Sequence, residues 1–190
     1  MSLHRMEQKI LEENRALSGD EMLPHWAYRN FGLLGDSIVA FQGPFKVPPD
    51  KWLDLESVMH GRELPASDML HFIVEHFDST LSETVLRQHL LVSILEEKLL
   101  HRIPNICRLT RLGDDLFDGE NRLSITAAGS TLVSNKIHMG LYLKEQPAED
   151  IRGLAAYDIE PMELAEVVIS QYRAEMRRLC EKSWRLRPIV

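Results

Sequence analysis

Cysteine is scarce in this chain of 190 residues, which has two, Cys107 and Cys180, far apart in sequence. This excludes a disulfide framework and a paired-thiolate metal site, and it fits a reducing compartment, so we expect a cytoplasmic protein. No apolar run approaches the ~18 residues of a membrane span. The opening residues, Met-Ser-Leu-His-Arg, also lack the apolar run of a signal peptide, and we expect no membrane association.

Positive charge is in the minority, with 22 Lys and Arg against 29 Asp and Glu and a net charge of −7. An acidic chain remains soluble but does not favour a surface that follows phosphate backbones, so nucleic acid is a poor candidate partner. Internal repeats and low-complexity tracts are lacking as well. With 44% apolar residues, the length suits one globular domain, with or without an added arm.

Strand patterns predominate after residue 30. Runs of β-branched and aromatic residues, and stretches of alternating polarity, predict strands over 36–42, 69–77, 107–112, 122–128 and 136–144. A capping box over Thr80–Glu83 begins a helix that ends near His101, and Pro161 begins another that ends near Lys182. Strands separated by single helices predict an α+β fold.

The first thirty residues differ from the rest. Met6, Ile10 and Leu17 recur at helical spacing among charged residues, which predicts an amphipathic helical arm over 1–30. We expect a domain over 31–183 and a tail over 184–190. The proline-rich stretch 44–68 predicts a long loop with a short helix over 52–59.

The helix over 81–101 has apolar residues on two sides. Leu86, Leu90 and Ile94 lie nearly opposite its main apolar face. Together with the amphipathic arm, an uncovered second face would expose more apolar surface than a soluble monomer usually tolerates, so we expect a homodimer.

Two neighbouring strands each offer a polar face. Alternation in strand 122–128 groups Arg122 with Ser124, and alternation in strand 136–144 groups His138 with Gly140, which leaves a gap without a side chain. Such a face suits a ligand that lies against the sheet. The alternative is the solvated face of an antiparallel sheet.

Acidic and imidazole side chains lie nearby. Asp114 and Asp115 could present carboxylates to magnesium or to a hydroxyl or amine of a substrate, or they are ordinary turn residues. His71 and Glu75 share one face of strand 69–77. Two ligands at this spacing are weak evidence for zinc, which needs three or four, so we expect no metal site.

Three strings are similar to a known family: 35–41 (Gly-Asp-Ser-Ile-Val-Ala-Phe), 68–77 (Asp-Met-Leu-His-Phe-Ile-Val-Glu-His-Phe) and 111–116 (Arg-Leu-Gly-Asp-Asp-Leu). Over about residues 30 to 180, the chain resembles the prokaryotic domain-of-unknown-function family three-six-six. The resemblance implies the fold of lipoate and biotin protein ligases, related to the catalytic domain of class II aminoacyl-tRNA synthetases. It therefore implies a mixed, largely antiparallel sheet with packed helices.

A fainter resemblance concerns the lipoate ligases. They carry an Asn-Asp-Leu string, a Gly-Arg-Lys-Ile-Ser strand with a catalytic lysine, and a His-His-Gly-Thr strand. Here 114–116 (Asp-Asp-Leu), 121–124 (Asn-Arg-Leu-Ser) and 137–140 (Ile-His-Met-Gly) are similar in order and spacing. The resemblance implies that Arg122 stands at the lysine position, and His138 and Gly140 at the histidine and glycine positions.

The chain also departs from those enzymes. Their glycine-rich Arg-Arg-x-Gly-Gly-Gly loop has no counterpart in 60–67, which holds one glycine, Gly61. Octanoyltransferases have an acyl-accepting cysteine where this chain has Arg152-Gly153-Leu154. Arginine stays protonated far above neutral pH and does not easily act as a base, although it holds a carboxylate or phosphate bidentately.

The leading hypothesis is a domain that binds a small carboxylate, acyl or acyl-adenylate-like ligand, with acyltransferase or ligase activity. Arg122 would neutralise the anion, His138 would orient it or exchange a proton, and Asp115 would position an amine or magnesium. The further ligand-binding candidates are Ser124, Gly140, His71, Glu75 and Asp114. The alternative is a non-catalytic interaction module that has lost the ligase chemistry, and the sequence assigns no cofactor.

Overall fold

The computed structural model describes residues 6–54, 59, 67–103 and 108–187. In chain order the strands are β1 (Glu7–Ile10), β2 (Ser37–Pro44), β3 (Asp68–His76), β4 (Leu109–Leu112), β5 (Asp115–Asp118), β6 (Asn121–Arg122), β7 (Ser124–Ser130) and β8 (Asn135–Tyr142). The α-helices are α1 (Trp26–Phe31), α2 (Leu81–Leu100) and α3 (Pro161–Arg185). Short 3-10 turns occupy Asp20–Met22, Pro49–Lys51, Pro147–Glu149 and Leu154–Tyr157.

The main sheet has five strands in the order β1-β2-β3-β8-β7. β1 pairs with β2 in parallel, and the other pairs are antiparallel. β4, β5 and β6 form a small antiparallel sheet, and the turn between β5 and β6 contains Gly119, which has a positive φ. The predicted α+β class with a largely antiparallel sheet is confirmed.

The larger core lies between the main sheet and the helices α2 and α3. Its sheet side includes Ile38, Phe72 and Met139, and its helix side includes Leu95 and Val168, all completely buried. The predicted capping box begins α2, because the Thr80 side chain accepts from the Glu83 amide while Glu83 reaches back to the Thr80 amide. Within the described ranges, no helix combines the length and apolar character that crossing a membrane requires.

The opposite face of the sheet carries a second, smaller core. Phe41 and Ile73 from the sheet pack there against Leu17, Trp26 and Ala27. The segment that precedes β2 therefore crosses this face and covers it.

The prediction of a helical arm over 1–30 is wrong for Glu7–Ile10, which form strand β1. The backbone amides of Glu7 and Leu11 donate to the carbonyls of Asp36 and Ala40 at 2.8 and 2.9 Å. β2 offers an unpaired edge, and pairing with that edge outweighs the weak helical periodicity of so short a segment.

The second apolar face of α2 is only partly exposed. α3 packs against α2, and Ile94 is 4% exposed within the main core. Leu86 remains 69% exposed.

Two further predictions fall partly outside the described residues. Of the short helix expected over 52–59, residues 52–54 are not helical, 55–58 lie outside the described ranges, and Met59 is helical. Of the strand expected over 107–112, Cys107 lies outside them, and β4 begins at Leu109.

A candidate ligand-binding cavity

A cavity of about 690 Å³ lies at the β7 edge of the main sheet. Its polar wall carries Lys51, Asp54, Asp114, Asp115, Arg122 and His138. Its apolar wall includes Phe45, Val47, Trp52, Leu53 and Ile125. This volume falls in the range of small-molecule sites, and the mixture of a broad apolar wall with a few polar groups is typical of them.

One side of the cavity is a compact hydrogen-bonded cluster of α2, β7 and the turn before β5. The Gln88 amide nitrogen donates to Asp114 Oδ2 at 2.6 Å and to Thr126 Oγ1 at 3.0 Å. The Thr126 hydroxyl in turn donates to the Asp114 carbonyl at 2.8 Å. The cluster fixes Asp114 and occupies the donors of Gln88 and Thr126.

Asp115 and Arg122 stand next to this cluster. Asp115 Oδ2 lies 3.6 Å from Arg122 Nη2, and Asp115 Oδ1 is buried and accepts no hydrogen bond from the described residues. Burial raises the pKa of Asp115 to about 7, against the opposing effect of Arg122. Arg122 is also held over the Phe117 ring at 5.6 Å. Its guanidinium makes no hydrogen bond to the described residues, so its donors are available to an anion.

His138 enters the cavity wall from β8 and is held from behind by β3. His138 Nε2 lies 3.1 Å from His71 Nδ1, and His71 Nε2 lies 3.0 Å from the Gly43 carbonyl oxygen. Burial lowers the pKa of His71 to about 4 and holds the pKa of His138 well below 6.5. Both rings are therefore neutral at neutral pH.

Glu75 has a structural role in a separate buried network. Its carboxylate pairs with Lys136 Nζ at 3.0 Å and accepts from the Ser134 hydroxyl at 2.7 Å and the His25 amide at 2.8 Å. This network ties β3 and β8 to the segment that covers the sheet.

The structure brings together four of the eight predicted site residues: Arg122, His138, Asp115 and Asp114 all line the cavity. The other four do not line it. Glu75 belongs to the buried network, and His71 contacts the cavity only through His138. Gly140 leaves no open gap, because a Cβ there would lie 2.9 Å from Met69 Cε and 3.3 Å from His138 Nε2.

The predicted alternation places Ser124 on the wrong face of the sheet. It lies opposite Leu141, on the helix side of the sheet, and its hydroxyl accepts from the Leu116 amide at 2.9 Å. Leu123 and Ser124 are both completely buried, and Leu123 belongs to the helix-side core while Ile125 belongs to the other side. One irregular residue between β6 and β7 therefore reverses every later side chain of that strand.

Sequence reasoning missed Gln88, Thr126 and the wall formed by residues 45–54. Gln88 carries a usable signal, since it is a polar residue on the buried face of α2, where every other buried residue except Thr84 is apolar. The 45–54 wall has no comparable signal, because an irregular segment shows no periodicity. Among the residues that the structure describes, no group of three or more His, Cys, Asp and Glu could hold a metal ion.

Comparisons with known proteins agree with this architecture. An uncharacterized protein of Methanocaldococcus jannaschii, MJ0805, is 34% identical over 156 residues, which are 80% of this chain and 69% of that one. A solved protein of unknown function from Pyrococcus horikoshi is 33% identical, with a TM-score of 0.88 over 97% of this chain and 100% of that chain.

More distant structures share the fold alone. A T. acidophilum putative lipoate protein ligase with bound lipoic acid is 13% identical, with a TM-score of 0.56 over 90% of this chain and 86% of that chain. A Leishmania major biotin protein ligase in complex with biotin is 9% identical, with a TM-score of 0.57 over 88% and 73%. These likenesses confirm the predicted lipoate/biotin ligase-like fold. The model of the family described as Domain of unknown function (DUF366) matches residues 6–187, and the chain belongs to that family.

Proposed function

We propose that the cavity binds a small carboxylate, acyl or acyl-adenylate-like ligand, with Arg122 as the residue that neutralises its anionic group. The observation that carries the proposal is the Arg122 guanidinium, which lines a cavity of about 690 Å³. Among the described residues its carboxylate partner is Asp115, and the two groups lie 3.6 Å apart, within ion-pair distance but beyond hydrogen-bond distance. A guanidinium in this setting gains two charge-assisted hydrogen bonds when a carboxylate arrives.

The fold adds support of a more general kind. Structures of the same fold hold lipoic acid and biotin, which are both small carboxylic acids with a largely apolar body. The apolar wall of Phe45, Val47, Trp52 and Leu53 suits such a body.

Acyltransferase or ligase activity is part of the same proposal. Arg122 serves it by binding, because a guanidinium does not release a proton near neutral pH. His138 is neutral and buried, so it orients the ligand through a hydrogen bond or exchanges a proton with it. ATP–pyrophosphate exchange with each acid that binds tests the ligase activity, and acyl transfer from a thioester of that acid tests the acyltransferase activity. Binding with neither reaction identifies the non-catalytic alternative.

Calorimetric titration with octanoate, lipoate and biotin tests the binding proposal. We expect Arg122→Ala to weaken binding of the preferred acid at least tenfold, because the variant loses the charge-assisted hydrogen bonds to the anion. Its melting temperature should change by less than about 3 °C, which corresponds to roughly 1 kcal/mol for a chain of this size.

The matched control is Arg111→Ala, which removes an exposed arginine that contacts Ser93 outside the cavity. Equal loss of affinity in both variants would show that Arg122 acts only through net charge. Unchanged affinity in Arg122→Ala, or no binding of any acid, would contradict the proposal.

We also propose that the protein is a homodimer. The support is the 69% exposure of Leu86 on the outer side of α2. An apolar surface of this kind is removed from water when two copies associate.

A further inference from the structure

The cavity wall is richer in hydrogen-bond acceptors than a site for a simple acid requires. Three aspartates, Asp54, Asp114 and Asp115, line it together with two cations, Lys51 and Arg122. Lys51 Nζ is engaged outside the cavity wall, at 2.7 Å from Asp20 Oδ1. A ligand that carries only an anion would satisfy Arg122 and leave Asp115 Oδ1 without a hydrogen-bond donor from the described residues.

The other donors in the wall are already used within the protein. Trp52 Nε1 donates to the Val47 carbonyl at 2.9 Å, and the donors of Gln88 and Thr126 are taken up by the Asp114 cluster. Asp115 Oδ1, in contrast, is buried and has no donor among the described residues. A buried carboxylate oxygen without a donor is costly, and a ligand that supplies one relieves that cost.

The histidine pair adds a second acceptor. The Gly43 carbonyl can only accept, so the proton of the neutral His71 ring lies on Nε2 and its Nδ1 is an acceptor. His138 Nε2 must then donate to His71 Nδ1, which leaves His138 Nδ1 without a proton. His138 is 6% exposed and lines the cavity, and no described residue donates to its Nδ1.

The anion-binding and acceptor groups lie side by side, since Asp115 Oδ2 and Arg122 Nη2 are 3.6 Å apart. Groups at this spacing are matched by a ligand whose ammonium and anionic groups are carried on the same or neighbouring atoms. The wall of Phe45, Val47 and Trp52 is matched by an apolar side chain.

We infer that the cavity takes an amino-acid-like zwitterion with an apolar side chain, whose ammonium group donates to Asp115 while its anionic group binds Arg122. The inference rests on the proposed function, since it adds an amine to the small acid proposed there. It assigns Asp115 as the residue that distinguishes amino acids from plain fatty acids.

Two matched pairs of ligands test the inference by calorimetric titration: L-phenylalanine with 3-phenylpropionate, and L-leucine with 4-methylpentanoate. The members of each pair differ by the amine alone. We expect the preferred amino acid to bind at least tenfold more tightly than its deaminated partner. Asp115→Asn should remove this preference by weakening the amino acid at least tenfold, whereas the plain acid should not bind more weakly, because the variant loses a carboxylate 3.6 Å from Arg122.

Asp78→Asn is the matched control, because Asp78 is exposed and outside the cavity wall. Equal affinity within both pairs, or a preference that survives Asp115→Asn, overturns the inference. Binding of octanoate, lipoate or biotin that depends on Arg122, without binding of either amino acid, overturns it too and leaves the proposed function intact. If no acid and no amino acid binds, both fail.

Discussion

His71 and His138 form a pair whose protonation is set by one backbone carbonyl. Since Gly43 accepts from His71 Nε2, both rings should carry their single proton on Nε2. We expect nitrogen NMR of histidine-labelled protein to show two Nε2–H tautomers that persist from pH 8 to pH 5, because burial keeps the pKa of His71 near 4 and that of His138 also low. His71→Gln removes one of the two signals and assigns it. An imidazolium signal from either ring at pH 6 would contradict this arrangement.

Asp115 makes stability depend on pH in a direction opposite to that of ordinary surface carboxylates. Burial raises its folded-state pKa to about 7 from 3.8, so between these values the folded chain holds a proton that the unfolded chain has lost. Its contribution to stability is complete below pH 4 and is lost as the pH rises through 7. Between pH 5 and pH 8 the loss is roughly 2 to 3 kcal/mol.

Paired melting curves of the wild type and Asp115→Asn measure this contribution. The melting temperature of the wild type relative to that of the variant should fall by several degrees from pH 5 to pH 8. The comparison is needed because His71, with its lowered pKa, acts in the opposite direction between pH 6.5 and pH 4. A constant difference between the two proteins across this range would show that Asp115 titrates normally.

At the level of elements, the backbone of β2 at Gly43 lies so close to the backbone of Arg15 that no side chain fits there. A Cβ on Gly43 would lie 2.0 Å from the Arg15 carbonyl oxygen, while the Arg15 amide donates to the Gln42 carbonyl at 2.8 Å. Gly43→Ala must therefore push the segment away from β2. We expect a loss of about 3 kcal/mol or more in urea unfolding, at the upper end of single substitutions.

Gly113→Ala is the matched control. Gly113 also has a positive φ, of 67°, but a Cβ there meets nothing within 4 Å. This variant should cost only the roughly 1 to 2 kcal/mol of a left-handed residue. Equal losses of unfolding free energy in the two variants would mean that the segment before β2 can move away from Gly43 without loss of stability.

The elements also show where sequence reasoning succeeds and where it stops. The long apolar run of β3 and the capping box of α2 are local signals, and both elements form as predicted. β1 depends on the open edge of β2, which the local periodicity of the first residues does not contain. The alternating residues after Arg122 form a strand as predicted. The irregular residue Leu123, however, reverses which side chains of β7 point towards each face of the sheet.

The candidate site likewise combines residues with a local sequence signal and residues without one. Motif order and strand alternation, which are visible in the sequence, predict that Arg122, Asp115 and His138 lie together, and all three line the cavity. The Gln88 cluster and the apolar wall over 45–54 depend on how a helix and an irregular segment meet the edge of the sheet. Tertiary placement of this kind leaves no pattern in the chain itself.

For the whole molecule, the expected homodimer remains a prediction. The apolar surface that a second copy could cover is smaller than the sequence indicates, because α3 packs against α2 and Ile94 is buried. Sedimentation equilibrium at tens of micromolar should give twice the chain mass of 21.9 kDa for the wild type and one chain mass for Leu86→Glu. Leu132→Glu, a change at a completely exposed apolar residue of the β7–β8 turn, is the control and should stay dimeric. A wild-type monomer at these concentrations would rule the dimer out.

The contact between the first strand and the last helix has a consequence for the growing chain. Arg173 Nε donates to the Met6 carbonyl at 2.8 Å, across 167 residues of sequence, and Arg173 also contacts Gln8. During synthesis, β1 leaves the ribosome before the other strands of the main sheet, yet the arginine that holds it is made after all of them. Until then the outermost strand can pair with β2 but is not fastened from α3. A chain that stops before Pro161 holds every strand of the main sheet and lacks this fastening, so it presents an edge at which a second unfinished chain can add.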